Sequence, residues 1–143
     1  MSSSVSRTIR VGAVGLGLSL AMGCAMNDKQ IDHLSRQWIL VWNEGDASSL
    51  PLAEDFVHVS PFGRLEGRKH YLKTVIPMSK KNAAKLAVED VLVSGNQSVV
   101  RYNVVSPSGA TMPACDWLTF EGGKLARVRS YYERPAEIRS DAY

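Results

Sequence analysis

Residues 115–132 constrain the fold more than any other stretch of this chain. Two runs rich in aromatic and β-branched residues, 115–120 and 125–132, flank Glu121-Gly122-Gly123. A glycine pair between such runs predicts a β-hairpin, because tight hairpin turns need positive φ. Side chains alternate across a strand, so each run sorts into two faces. Asp116, Leu118 and Phe120 share one face of the first strand. Val128, Ser130 and Tyr132 share one face of the second, and Arg127 and Arg129 lie opposite. Asp116 therefore falls on a largely apolar face, where a carboxylate is costly unless it is paired, protonated or set in a pocket. That makes it the first candidate site residue. Cys115 points the other way and has no histidine on its own face, so it reads as a small apolar filler.

The segments before the hairpin predict helices followed by strands. Ile31, Leu34, Trp38, Val41 and Trp42 form one apolar stripe of a helix over 28–44. Gly45 suits the left-handed position just past its end. Asp46 is placed to cap a second, short helix over 47–53. Residues 56–60 alternate as a strand, with Phe56, His58 and Ser60 on one face, closed by Pro61 and Gly63. A third helix is predicted over 68–76 and stopped by Pro77. Strands follow at 85–94 and 98–105, with turns at Gly95-Asn96 and Pro107-Ser108-Gly109. Helices followed by a meander of strands predict an α+β domain, with a curved antiparallel sheet and three N-terminal helices closing a conical cavity.

Length and charge exclude several functions. A chain of 143 residues, 45% apolar, holds one domain with a real core. The net charge is +3, but Arg7 and Arg10 lie in the leading segment; without them 15 basic residues face 14 acidic ones. Lys80, Lys81 and Lys85 are the only basic cluster in the remainder and no aromatics alternate with them, so they read as a solvated helix end rather than a nucleic-acid surface. Three widely spaced histidines give no metal signature. There is no glycine-rich phosphate loop and no nucleophile elbow. No cofactor and no metal are expected. His33 and His70 read as surface residues.

The first 25 residues read as a secretion or lipoprotein signal, with the domain occupying 26–143. Residues 1–10 are polar with two arginines, 11–22 are small or apolar, and Gly23-Cys24 follows. The apolar run is too short for a membrane span. Ala21-Met22-Gly23-Cys24 resembles a bacterial lipobox, which implies lipidation of Cys24 and an exported, membrane-anchored product. Cleavage without lipid, giving a periplasmic protein, and a cytoplasmic product starting at Met26 are the two alternatives. Any membrane association is expected only through this segment.

Three groups of residues resemble the nuclear transport factor 2-like superfamily, within its SnoaL-like and ketosteroid-isomerase-like branch. They are Trp38-x-x-x-Trp42-Asn43-x-Gly45-Asp46; Phe56-x-x-x-Ser60-Pro61-x-Gly63 with Gly67; and Asp116-Trp117-x-x-Phe120 with Gly123-Lys124-Leu125 and Arg129-x-Tyr131-Tyr132. The resemblance covers about residues 28–135. It implies a cystatin-like cone around a ligand cavity, and the superfamily contains both enzymes and non-catalytic binders. In ketosteroid isomerases a helix tyrosine and a late-strand protonated Asp form an oxyanion hole while a second Asp moves the proton, the arrangement that serves as a standard example of a neutral buried acid. Asp116 matches the late-strand Asp. Trp38 stands in place of the tyrosine and Ser60 in place of the proton-transferring Asp, so ketosteroid isomerisation itself is rejected.

His58 falls on the same strand face as Ser60, and a His–Asp pair with Asp116 is a usable acid/base set of the kind found in family dehydratases. The bland alternative is an interior histidine hydrogen-bonded for structural reasons. The candidate catalytic residues are thus Asp116 and His58. The candidate ligand-binding residues are Trp38, Trp42, Ser60, Phe62, Tyr71, Leu118, Phe120, Ser130 and Tyr132. The expected function is binding of a small, mainly apolar molecule, with cofactor-free isomerase, dehydratase or cyclase chemistry. A non-catalytic binding or envelope-interaction module is the alternative. The expected assembly is a homodimer through the outer sheet face, which carries Trp117, Arg127, Arg129 and Tyr131.

Overall fold

The computed structural model of the chain describes residues 25–133. The expected signal segment and Cys24 lie outside the described residues, apart from Ala25. Among the described residues no helix is long and apolar enough to cross a membrane. The elements are α1 (Asp28–Glu44), β1 (Leu52–Ser60), β2 (Gly63–Glu66), α2 (Arg68–Lys81), β3 (Lys85–Ser94), β4 (Gln97–Val105), β5 (Thr111–Glu121) and β6 (Lys124–Tyr131).

α1 starts where its capping chemistry dictates. The Asn27 side chain accepts from the Gln30 amide at 3.0 Å, and the Gln30 side chain accepts from the Asn27 amide at 2.9 Å, a reciprocal capping box. It ends at Gly45, whose φ of 72° lies in the left-handed region. A methyl group there would also meet Lys80 Cγ at 3.0 Å. The sequence stripe is buried as expected at Ile31, Trp38 and Val41, whereas Leu34 and Trp42 stay half-exposed.

The six strands form one sheet in the order β2-β1-β6-β5-β4-β3. The expected curved sheet is present, but it is mixed rather than antiparallel, because β1 pairs parallel with β6. The β5–β6 hairpin fixes the direction of β6, and β1 reaches it through the long excursion over α2, β3 and β4, which leaves β1 free to run the same way. Register shifts occur at Leu52/Val57, Val88/Asp90 and Thr119/Phe120. Such bulges bend strands and increase local twist, which curls the sheet toward the helices. Two side-chain clamps hold α1 in that curl. Ser35 Oγ meets Ser98 Oγ of β4 at 2.6 Å. The Asn43 amide donates to the Leu86 carbonyl at 2.9 Å and accepts from the Leu86 amide at 2.8 Å, so it acts as a surrogate strand residue against β3.

Three further expectations need correction. There are two helices among the described residues, not three. Asp46 accepts from the Ser48 amide at 2.9 Å and stabilises a single turn, not a helix. Pro51 then drives Leu50 away from helical dihedrals, and β1 begins at once with Leu52 fully buried. Second, α2 does not stop at Pro77 but runs on to Lys81. A proline there costs the hydrogen bond to the Lys73 carbonyl, yet Val75 and Ser79 on either side are buried and hold the helix in place. Third, residues 63–66 form β2, a short edge strand pairing antiparallel with β1, where no element was expected.

Candidate functional site

Four strands bring polar side chains to one spot on the inner face of the sheet: His58 from β1, Tyr102 from β4, Asp116 from β5 and Ser130 from β6. Register explains the meeting. Asp116 lies directly opposite Ser130 across the hairpin and opposite Val100 on β4, which puts Tyr102 one diagonal step away. α1 lays Trp38 over them.

Asp116 is 2% exposed. Trp38 Nε1 donates to its Oδ2 at 2.6 Å, and the Tyr102 hydroxyl donates to its Oδ1 at 3.2 Å. The Ser130 hydroxyl also hydrogen-bonds it. On its other side Ser130 Oγ lies 2.9 Å from His58 Nε2. With the Ser130 proton directed to the carboxylate, His58 must carry its own proton on Nε2, so the donors run one way: imidazole to hydroxyl to carboxylate. His58 also packs edge-on against Trp38, ring centroids 5.4 Å apart.

Burial sets the electrostatics. Desolvation pushes the Asp116 carboxyl up to about 6, against the lowering effect of its three donors. The same loss of water takes His58 down to about 4. The Tyr102 hydroxyl is raised, first by burial and then by the Asp116 charge. At neutral pH the site therefore holds an ionised Asp116 and a neutral His58.

This cluster closes one end of a cavity of about 570 Å³. Trp42 and Ile39 of α1, Leu86 of β3, Val104 of β4 and Met112 of β5 form apolar walls. Phe62 and Tyr132 close one side, their rings 6.0 Å apart. Met78, Lys81, Asn82 and Ala84, at and beyond the end of α2, border it as well.

Of the residues singled out from sequence, Asp116, His58, Trp38, Trp42, Phe62, Ser130 and Tyr132 line this cavity. Four do not. Tyr71 is fully buried behind Trp38 and His58, stacked on the indole at 5.9 Å. Leu118 and Phe120 are core residues at 0% and 2% exposure. Ser60 Oγ accepts from the Phe62 amide at 3.2 Å and shapes the β1–β2 turn. Direct contact between His58 and Asp116 is replaced by the Ser130 bridge.

Sequence reasoning missed Tyr102, although the signal was present. Ser98, Val100, Tyr102 and Val104 share a face, and the turn at 107–109 sets their register against β5. It missed the α2 end for a different reason, because the helix was expected to stop at Pro77. Among the described residues no three His, Cys, Asp or Glu side chains group to hold a metal ion.

A curved sheet wrapped by two helices around a cavity with a polar closed end defines an α+β cone of the cystatin-like class. Residues 35–128 match the family model of the SnoaL-like domain, and the chain belongs to that family. No curated protein sequence matches it. Solved structures share the fold at low identity. An NTF2-like protein of unknown function from Mesorhizobium loti superposes with a TM-score of 0.64 at 18% identity, over 74% of this chain and 93% of the other. A SnoaL-like family protein from Agrobacterium tumefaciens gives 0.64 at 17%, over 74% and 99%. A de novo designed protein with a curved β-sheet gives 0.67 at 19%, over 80% and 92%. The fold has thus been reached by design as well as by evolution, so function must be argued from the site.

Proposed function

We propose that this domain binds a small, mainly apolar molecule in the cavity, with one polar group of that molecule against Asp116 and Ser130. The observation that carries this reading is a carboxylate only 2% exposed at the closed end of a cavity of about 570 Å³. A core built for stability alone has no use for that group, since burying a carboxylate costs several kcal/mol even when it is hydrogen-bonded. Cavities of this size suit compact organic ligands.

The tuning of Asp116 to about 6 supports acid/base chemistry on the bound molecule, of isomerase, dehydratase or cyclase type and without a cofactor. At neutral pH Asp116 is the base, and His58 acts on it through Ser130 by fixing the hydroxyl's direction. The rival reading is a binder with no turnover, and it uses the same cavity. Native mass spectrometry of gently purified protein identifies the bound molecule. Incubating that molecule with protein in D₂O then separates the two readings: deuterium enters an enzyme's ligand at carbon and leaves a binder's ligand unlabelled.

Two further proposals concern context. Export with lipid on Cys24 is supported by the arginine-bearing start, the apolar run and the closeness of Cys24 to the Asn27 cap. A homodimer through the outer sheet face is supported by Trp117 and Tyr131, which stand 46% and 47% exposed there.

A further inference from the structure

The cavity is electrostatically polarised along its length. Its closed end carries Asp116, ionised at neutral pH, with donors from Trp38, Tyr102 and Ser130 already turned toward it. A ligand anion is repelled there. The inner group of a ligand must instead donate, as a hydroxyl or an acidic C–H, because an ionised carboxylate only accepts.

Among the described residues one cationic side chain, Lys81, lines the cavity. Lys81 is the last residue of α2 and borders the cavity. It has no ion-pair partner among the described residues, whereas its neighbour Lys80 interacts with Asp46. Among the described residues no acidic side chain other than Asp116 lines the cavity. Lysine is also favoured at this position by the partial negative charge of the helix C-terminus. It reaches the cavity only because α2 continues through Pro77.

We propose that the ligand is an amphipathic organic acid, its carboxylate on Lys81, its apolar body against Trp42, Leu86, Val104 and Met112, and a hydroxyl or acidic C–H facing Asp116. This rests on the cavity reading above and names the chemical class that reading leaves open. At about 30 Å³ per non-hydrogen atom, the cavity admits an acid of up to roughly twenty such atoms.

The probes are 10-hydroxydecanoate and 1,10-decanediol. They share chain length and a terminal hydroxyl and differ in the carboxylate. Isothermal titration at pH 8 compares them on the full chain and on Lys81→Gln. The wild type is expected to bind the acid roughly three- to ten-fold more tightly, as suits one partly exposed, charge-assisted contact. In Lys81→Gln that ratio falls to about one while affinity for the diol is unchanged, and added salt narrows the wild-type ratio. Equal affinities in the wild type, or an acid preference that survives Lys81→Gln, overturn the assignment and leave the cavity reading standing. If neither probe binds, both fall. Decanoate, which lacks the inner hydroxyl, is expected to bind several-fold more weakly than 10-hydroxydecanoate; equal affinity overturns the placement of the donor at Asp116.

Discussion

Replacing Asp116 by Asn and, separately, His58 by Gln exposes two opposed pH dependences that nearly cancel in the wild type. Asp116 has its folded-state pKa raised from 3.8 to about 6. The folded state holds that proton more tightly than the unfolded chain does, so stability is fully present below pH 3.8 and is lost as pH rises through 6. The loss is about 3 kcal/mol. His58 has its folded-state pKa lowered from 6.5 to about 4. Its contribution is present above pH 6.5 and is lost as pH falls through 4, again by about 3 kcal/mol. The two windows overlap between pH 4 and 6.5. Urea unfolding at pH 4, 5, 6 and 7, plotted as variant minus wild type, removes the contribution of the surface carboxylates. Asp116→Asn should gain about 3 kcal/mol on the wild type from pH 4 to 7, and His58→Gln should lose about as much. The double variant should again run parallel to the wild type. If each single variant runs parallel to the wild type, neither group is desolvated as described, and the electrostatic account of the site fails.

Other substitutions test single links. Trp38→Phe keeps most of the ring and removes the indole donor to Asp116; the carboxyl pKa should rise further and stability fall by about 1–3 kcal/mol, read by carboxyl titration and thermal melt. Trp42→Ala should cost less than the roughly 3–5 kcal/mol expected of a core tryptophan, because Trp42 is half-exposed on the cavity wall, and it should weaken ligand binding in parallel. Pro77→Ala restores a helix hydrogen bond inside α2 and should raise the melting temperature, by about 1–3 kcal/mol in stability; no change would mean that the helix already relaxes around the proline. Palmitate labelling of cells should mark the wild type and not Cys24→Ala, whereas an unlabelled cytosolic wild type would favour a start at Met26.

Period-2 and period-3.6 patterns placed α1, the strand at 56–60, β3 to β6 and the inward face of the hairpin, because each of those signals is local and repeats over several residues. The failures are of another kind. A cap at Asp46 looks the same whether one turn or a whole helix follows, and Pro51 decided between them. Pro77 is a local stop signal that the tertiary packing of Val75 and Ser79 overrode. The parallel β1–β6 pairing is non-local and leaves no trace in either strand. At the site, strand parity placed Asp116, His58, Ser130 and Tyr132 inward. It equally placed Ser60, Leu118 and Phe120 inward, and parity cannot tell a cavity wall from the packed core beside it. The Ser130 bridge depends on cross-strand register, as does Tyr102, and register is fixed only once the turns have been counted.

The central claim is that Asp116 is a desolvated carboxylate at the closed end of a ligand cavity. A ¹³C titration of the aspartate carboxyl resonances tests it most directly, with the Asp116 signal identified by its absence in Asp116→Asn. The account predicts a pKa of about 6 in the free protein and a clear shift when 10-hydroxydecanoate is added. A carboxyl that titrates near 4 and ignores the added acid would contradict it.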